Sequence, residues 1–417
     1  MKLSWITVLA VGSTLMPLAV QAEDWSQWRG PKRDAVSTEK GLLKEWPKEG
    51  PKLLWHSKDA GYGFGSLAVT GNRVYLVASE GKEKESVRAL DAKTGKPIWS
   101  TPIGKVGNPD QTPNYPAARS TPTIDGKFLY ALGSDGDLAC LEIASGKVVW
   151  KKSFRNEFGG RPGIWAYSES PLVDGDKVIA CPGGEKASIV AFDKRTGNVA
   201  WKAVTPDADM AGYASLIVVE VEGVKQYVAY LSKGLFGVDA KTGGFLWRYD
   251  KSIDTRFGVH ASTPIASGSS IYSAAATGGG LALIKGNAGT YTADSAYAGR
   301  KVPNALGGAV KVGDYLFGSS TNTLLCIEYG TGRIRWEDRS VGAGSICAAE
   351  GLLYLHGEDG AVALIEATPA GYKERGRFTP NDIPSRGQAK AWAYPAIANG
   401  RLYIRDGASV WCYDIRK

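Results

Sequence analysis

The chain has 417 residues, 53 of them Gly, with 43% hydrophobic and 22% charged residues and a formal net charge of +8. This composition excludes a disordered or collagen-like chain and supplies enough apolar material for a large core. The positive charge is spread along the chain without long basic runs. Such a surface mainly keeps a protein soluble, and nucleic acid is not expected as a partner.

Residues 1–22 read as a cleavable signal peptide. Lys2 precedes an apolar stretch from Leu3 to Val20, and Val20-Gln21-Ala22 is a small-residue cleavage site, which predicts Glu23 as the mature start. Ser4, Thr7, Ser13, Thr14 and Pro17 interrupt a stretch barely long enough to span a bilayer. No membrane span is expected after its removal. With no Cys beside the cleavage site, a lipid anchor is not expected either, so the chain reads as soluble and periplasmic or secreted. Residues 23–50 form a separate N-terminal strap opening with Asp24-Trp25-Ser26-Gln27-Trp28-Arg29-Gly30-Pro31. Two tryptophans in a turn-rich segment need a surface. Either the strap packs across the body, or it closes one mouth of a central opening.

From residue 51 to residue 417 one unit recurs: an acidic residue, a Gly four on, and an aromatic stop eight on. Asp91…Gly95…Trp99, Glu142…Gly146…Trp150, Asp193…Gly197…Trp201, Asp239…Gly243…Trp247 and Glu328…Gly332…Trp336 carry it in full, while Lys285…Gly289…Ala293 keeps only the glycine. The matching positions 91, 142, 193, 239, 285, 328, 366 and 414 lie 51, 51, 46, 46, 43, 38 and 48 residues apart. The copy at Glu366 is the most degenerate, followed by Pro369 and Gly371 with no Trp.

Upstream of each copy, segments such as Ser120-Thr121-Pro122 and Ser262-Thr263-Pro264 open a short strand. Turns such as Asp125-Gly126 and Asp135-Gly136 then join further strands, which is a hairpin signal. Four short strands with their turns need roughly 45 residues. The series therefore predicts eight four-stranded units. Lys52-Leu53-Leu54-Trp55 is the end of a unit without its beginning, and Trp411-Cys412-Tyr413-Asp414 is a beginning without its end. Joined, they close the units into a ring with no open sheet edge.

Each part of the unit has a physical task. The acid accepts backbone N–H groups of the following turn. The glycine supplies positive φ, and the Trp buries on the order of 150–250 Å² between neighbouring units. The acids therefore read as turn caps rather than catalysts. Cys140, Cys326 and Cys412 occupy a slot filled elsewhere by Ala89, Ala191 and Gly237, which implies a small buried side chain. No CxxC or CxxCH occurs among the five cysteines, so zinc ribbons and c-type haem are not indicated.

Asp-Ala-Lys-Thr-Gly-x-x-x-Trp, as at Asp91 and Asp239, resembles the tryptophan-docking repeat of the pyrroloquinoline-quinone-like (PQQ-like) β-propellers, and the resemblance covers residues 51–417. It implies an all-β fold, an eight-bladed β-propeller of four-stranded antiparallel blades, the last closed by the N-terminal strand around Trp55. Two branches share that fold: periplasmic quinoprotein alcohol or sugar dehydrogenases, and non-catalytic scaffolds of the BamB type. The dehydrogenases bind the quinone and a calcium, with a Glu in Gly-Ala-Glu-x-Gly-Val-Arg-Gly as a calcium ligand. The matching hairpin here, Gly183-Gly184-Glu185-Lys186-Ala187-Ser188, keeps Glu185 as a metal candidate but lacks Gly-Val-Arg-Gly. The Gly-Asn-Pro-x-Pro-Trp and Trp-Asp-x-Asp stretches and the adjacent-Cys disulfide have no counterpart. Calcium takes roughly six to eight oxygens, so no cofactor is expected, with PQQ and Ca²⁺ as the alternative.

In a propeller, the segment before each innermost strand lies around the channel mouth. Here those segments concentrate aromatics and a few polar groups. The candidate ligand-binding set is Tyr115, Arg119, Arg161, Trp165, Tyr167, Glu169, Tyr213, His260, Asn304, Lys390, Trp392 and Tyr394. A concave aromatic mouth with convergent polar groups is the default site, although the same aromatics would also fill space where eight sheets meet. Arg119, Arg161, His260 and Lys390 are harder to explain as filling, because burying charge is costly. They point to a small anionic or hydroxyl-rich ligand, or to a protein or peptide. His260 alone suits a satisfied structural histidine equally well. No Ser-His-Asp spacing, nucleotide loop or metal cluster is evident, so no catalytic residue is assigned. The expected function is an exported soluble binding or scaffold module, with a divergent PQQ-dependent oxidoreductase as the alternative.

Overall fold

The computed structural model describes residues 24–110, 115–254, 256, 258–287 and 289–417, so the signal-peptide expectation for residues 1–22 lies outside the described residues. The repeat folds as eight antiparallel four-stranded blades, seven of them from consecutive chain and the eighth with its outer strand from the N-terminal side. Blade 1 comprises Ala68–Thr70, Arg73–Glu80, Lys84–Asp91 and Pro97–Gly104. The first strands of blades 2 to 8 begin at Thr123, Leu172, Ile217, Ile265, Ala309, Gly344 and Ala396. The first strand of blade 1 touches those of blades 2 and 8, and those of blades 2 and 3, 5 and 6, and 6 and 7 also touch, so first strands lie innermost and blade 8 meets blade 1. The outer strand of blade 8 is Lys52–Ser57, antiparallel to Ser409–Asp414, with Trp55 opposite Cys412.

The acidic caps behave as the repeat predicts. Asp91 Oδ1 accepts the N–H groups of Lys93 and Thr94 at 3.0 and 2.8 Å and the Thr94 hydroxyl at 2.9 Å, and Asp193 and Asp239 repeat the pattern. The glycine has two tasks. Its φ is +69° at Gly95 and +72° at Gly197, and a Cβ there would meet the docking Trp of the preceding blade, at 2.5 Å for Gly95 against Trp55. Four of these tryptophans, Trp55, Trp99, Trp150 and Trp336, also donate their indole N–H across the blade boundary. Trp55 reaches the Ala92 carbonyl at 2.9 Å, Trp150 that of Lys194 at 3.1 Å, and Trp336 that of Thr368 at 2.7 Å.

Blade 5, whose copy has no Trp, uses Tyr297, against which a Cβ on Gly332 would come within 2.7 Å. Blade 7 ends on Phe378. That ring packs on Tyr413 of blade 8 at 4.8 Å and is covered by Trp46 of the strap at 5.3 Å.

The strap closes the channel. The N–H of Val69 (blade 1) donates to Trp25 O and that of Ile124 (blade 2) to Ser26 O, both at 2.8 Å. Arg33 donates to Ser170 and Pro171 O (blade 3) and Leu216 O (blade 4). The Trp28 indole reaches Thr263 Oγ1 (blade 5) at 2.9 Å, and Arg29 reaches Ala309 O (blade 6) at 2.5 Å. Val36–Ser37 adds a parallel strand to Gly344–Ala349 of blade 7, and Glu39 accepts the Gly400 N–H of blade 8 at 2.6 Å. One short segment is thus bonded to every blade. Backbone carbonyls at the inner strand ends, which would otherwise face an open channel unpaired, receive its donors.

Candidate functional site

Seven of the loops leading into inner strands converge opposite the strap on a blind cup of about 410 Å³. Its wall is Phe64 from blade 1, Tyr115 and Arg119 from blade 2, Trp165 and Ser168 from blade 3 and Tyr213 from blade 4. Blade 5 adds Val259, Ala261 and Ala276, blade 6 Leu306, and blade 8 Trp392 and Tyr394. Trp28 of the strap also lines it, 4.6 Å from Tyr394 and edge-on. The aromatics brace one another: Phe64 and Trp392 at 5.0 Å, Tyr115 and Trp392 at 5.4 Å, Trp165 and Tyr213 at 5.8 Å. Locked rings of this kind make a preformed pocket with little side-chain entropy left to lose.

Arg119 is the cup's single cation among the described lining residues. Its Nη2 donates to the Tyr115 carbonyl at 2.6 Å, and the guanidinium lies 5.1 Å over the Phe64 ring. Burial lowers its pKa to about 10, with Tyr213, Glu85 and Tyr62 opposing the shift, so it stays charged at neutral pH.

Its backbone is held from below. Glu85, fully buried, accepts the Ser134 N–H and hydroxyl at 2.7 and 2.6 Å and the Ser79 hydroxyl at 3.2 Å, while Ser79 Oγ accepts the Ala118 N–H at 2.7 Å. Burial raises the Glu85 pKa despite these bonds.

Of the twelve residues singled out from sequence, Tyr115, Arg119, Trp165, Tyr213, Trp392 and Tyr394 come together on the cup wall. The other six lie elsewhere. Tyr167 is buried between blades 2 and 3, its hydroxyl donating to Pro182 O at 2.8 Å and its ring 5.5 Å from Phe154. Glu169 is buried and accepts the Cys181 N–H. Its pKa is raised to about 7, burial being the chief cause.

His260 is also buried. Its Nε2 accepts the Asp254 N–H at 3.1 Å, its ring packs edge-on to Tyr230, and burial lowers its pKa to about 4. It is not among the residues that line the cup. Asn304 donates to Ala276 O behind the wall, and Lys390 pairs with Asp359 at 3.0 Å in a solvated salt bridge. Arg161 is exposed and lines a separate outer groove with Arg155 and Met210. Within one loop Trp165 and Ser168 line the cup while Tyr167 and Glu169 do not, so the backbone path rather than the spacing separates neighbours in sequence. Sequence reasoning left Trp28 and Phe64 out of the candidate set. The paired Trp25 and Trp28 were the available signal for the first.

The cup's own residues do not fit a calcium ion. Its lining contains no carboxylate, Glu185 is an exposed hairpin residue, and among the described residues no group of three His, Cys, Asp or Glu side chains is placed to hold a metal.

A family model described as "Outer membrane protein assembly factor BamB" matches residues 31–103 and 83–338. The chain belongs to this PQQ-like repeat family. The BamB protein of Burkholderia pseudomallei (strain K96243) is 28% identical over 161 residues, covering 37% of this chain and 39% of that protein. That of Shewanella oneidensis (strain ATCC 700550 / JCM 31522 / CIP 106686 / LMG 19005 / NCIMB 14063 / MR-1) is 25% identical over 220 residues, covering 51% and 49%. The matches thus span less than half the length of these relatives. Among solved structures, BamB from Moraxella catarrhalis superposes with a TM-score of 0.58 at 16% identity, covering 84% of this chain and 96% of that one. A europium-containing methanol dehydrogenase gives 0.69 at 12% identity, covering 93% and 90%. At such identities the likeness is one of fold alone.

Proposed function

We propose that this propeller is an exported binding or scaffold module that seats its ligand or protein partner in the cup. The observation that carries this reading is the convergence of seven loops on a rigid aromatic wall with one guanidinium and no carboxylate. Such a wall offers recognition surface, with no carboxylate or histidine among the described lining residues to serve as general base or metal ligand. The relatives named as assembly factors agree with a protein partner. No helix among the described residues is long and apolar enough to cross a membrane. Export, through residues 1–22, belongs to the same proposal.

The second reading is a divergent quinoprotein oxidoreductase, favoured by the fold likeness to methanol dehydrogenase. Adding pyrroloquinoline quinone with Ca²⁺ separates the two. The binding-module reading expects no rise in melting temperature and no dye-linked oxidation of alcohols or sugars, and turnover would overthrow it. In the other direction, the double variant Arg119→Ala, Trp165→Ala is expected to lose partner capture while folding normally. Capture equal to wild type would remove the cup from the function.

A further inference from the structure

Arg119 is the one charged side chain on the cup wall among the described residues, and three further arginines are buried near it. Arg29 and Arg33 lie buried in the channel below Trp28, Arg119 stands in the wall, and Arg405 is buried under the loop that carries Phe64. None of the four has a salt bridge among the described residues. They are held by carbonyls instead: Arg29 by Ala309, Arg33 by Ser170, Pro171 and Leu216, Arg119 by Tyr115, and Arg405 by Gly61, Gly65 and Val77. Carbonyls satisfy N–H donors but leave the positive charge in place. Two carboxylates, Glu85 and Glu169, are also buried, and burial pushes both upward, Glu169 to about 7. An anion in the cup therefore meets the Arg119 guanidinium and no carboxylate on the wall, against low-dielectric rings.

The rest of the wall decides what carries that anion. Beside Arg119, the fixed polar groups are the Ser168 hydroxyl, the tyrosine hydroxyls and the indole N–H groups of Trp165 and Trp392. Of these, Tyr213 OH already accepts the Trp165 N–H at 3.4 Å and Tyr394 OH donates to Leu306 O at 3.3 Å. A saccharide would leave most of its hydroxyls unpaired against apolar wall, which is costly. A phosphate would find one guanidinium for three charged oxygens. A single carboxylate matches one planar guanidinium, and an apolar or aromatic body matches Trp165, Trp392 and Phe64.

We propose that the cup binds molecules in which one carboxylate is carried on an apolar or aromatic body, the carboxylate on Arg119 and the body between the rings. This rests on the cup being the binding site. Two sources share that chemistry: a small aromatic or aliphatic acid, and the free C-terminus of a chain ending in an apolar residue.

The test uses the full mature chain, followed by tryptophan fluorescence and calorimetry. The probes are 4-phenylbutyrate, its primary amide, glucuronate, and the tripeptide Gly-Gly-Phe with a free or amidated C-terminus. Wild type is expected to bind phenylbutyrate about tenfold or more tighter than the amide, since the charge-assisted pair is lost, and tighter than glucuronate. Arg119→Gln should bring acid and amide to parity without weakening the amide. Preference for free Gly-Gly-Phe over its amide, with phenylbutyrate weak, assigns a chain end; the reverse assigns a small acid. Equal wild-type affinity for acid and amide, tighter glucuronate, or binding of none of the probes overturns the proposal. In the first of these outcomes, loss of amide binding in Trp392→Ala would leave the cup as the site. Acid binding unchanged by both Trp392→Ala and Arg119→Gln would overturn the cup reading as well.

Discussion

The Trp55 indole donates its N–H to the Ala92 carbonyl at 2.9 Å while its ring lies where a Cβ on Gly95 would sit. Trp55 belongs to the N-terminal strand of blade 8, and Ala92 and Gly95 belong to the turn of blade 1. This pair therefore seals the ring at the place where the chain's two ends meet. Trp55→Ala should destabilise the protein by about 3–5 kcal/mol, read from urea unfolding. Gly95→Ala should also destabilise it, because its φ of +69° and the 2.5 Å approach to the ring both oppose a side chain. Two variants with wild-type midpoints would mean that the ring is held elsewhere.

Arg33 fixes the strap to blades 3 and 4 through three carbonyls and to Gln27 Oε1 at 3.0 Å. Arg33→Met keeps volume but orphans three buried acceptors, each worth about 1–3 kcal/mol. Its unfolding midpoint should fall clearly, with faster amide exchange at Ile124 and Ala348, whose N–H groups bond the strap. Arg33→Lys should recover only a minor part, since a point charge on a flexible stem does not span the same carbonyls.

In blade 5 the structural weight lies on Tyr297, not on the repeat position. Lys285 forms only an exposed ion pair with Asp294 at 2.8 Å, and such pairs are worth about 0–1 kcal/mol. Lys285→Ala should therefore leave the melting temperature close to wild type. Tyr297→Ala, which removes the ring packed on Gly332, should cost about 3 kcal/mol. Thermal unfolding of the two variants side by side checks this order.

Tyr297 also shows where legibility stopped. The spacing of acid, glycine and tryptophan made eight blades readable, because cap, positive φ and docking ring are local requirements that recur with the chain. Tyr297 escaped because the blade 5 hairpin, Gly278–Asn287 with Thr290–Gly299, runs longer and places its aromatic farther along. The cup was readable only as a set of loops. Whether a loop residue faces the axis depends on the backbone path. Trp165 therefore reaches the mouth while Tyr167, two residues on, turns into the core between blades 2 and 3. Trp28 reaches the cup through the strap's threading, which no local pattern encodes.

Glu169 and His260, the carboxylate and the histidine of the candidate set, are both buried and should give opposed pH responses. Burial raises Glu169 from 4.5 to about 7 and lowers His260 from 6.5 to about 4. Glu169 holds its proton more tightly in the folded state. Its contribution to stability is therefore full below pH 4.5 and is lost as pH rises through about 7. His260 holds its proton less tightly when folded, so its contribution is full above pH 6.5 and is lost as pH falls through about 4. Each displacement corresponds to something on the order of 3 kcal/mol, and between pH 4.5 and 6.5 the two slopes oppose and largely cancel. The capping acids do not interfere there. Asp91 and Asp193 are lowered by hydrogen bonds from Thr94 and Thr196 and by other N–H donors of their turns, and they lose their contribution only at more acid pH. Glu169→Gln keeps an acceptor for the Cys181 N–H and leaves the His260 slope alone, so its stability should rise with pH across this window. His260→Gln should show the reverse, falling as pH rises. Urea unfolding of both variants across that range checks the sign, and parallel profiles would show that neither group is held neutral in the folded protein.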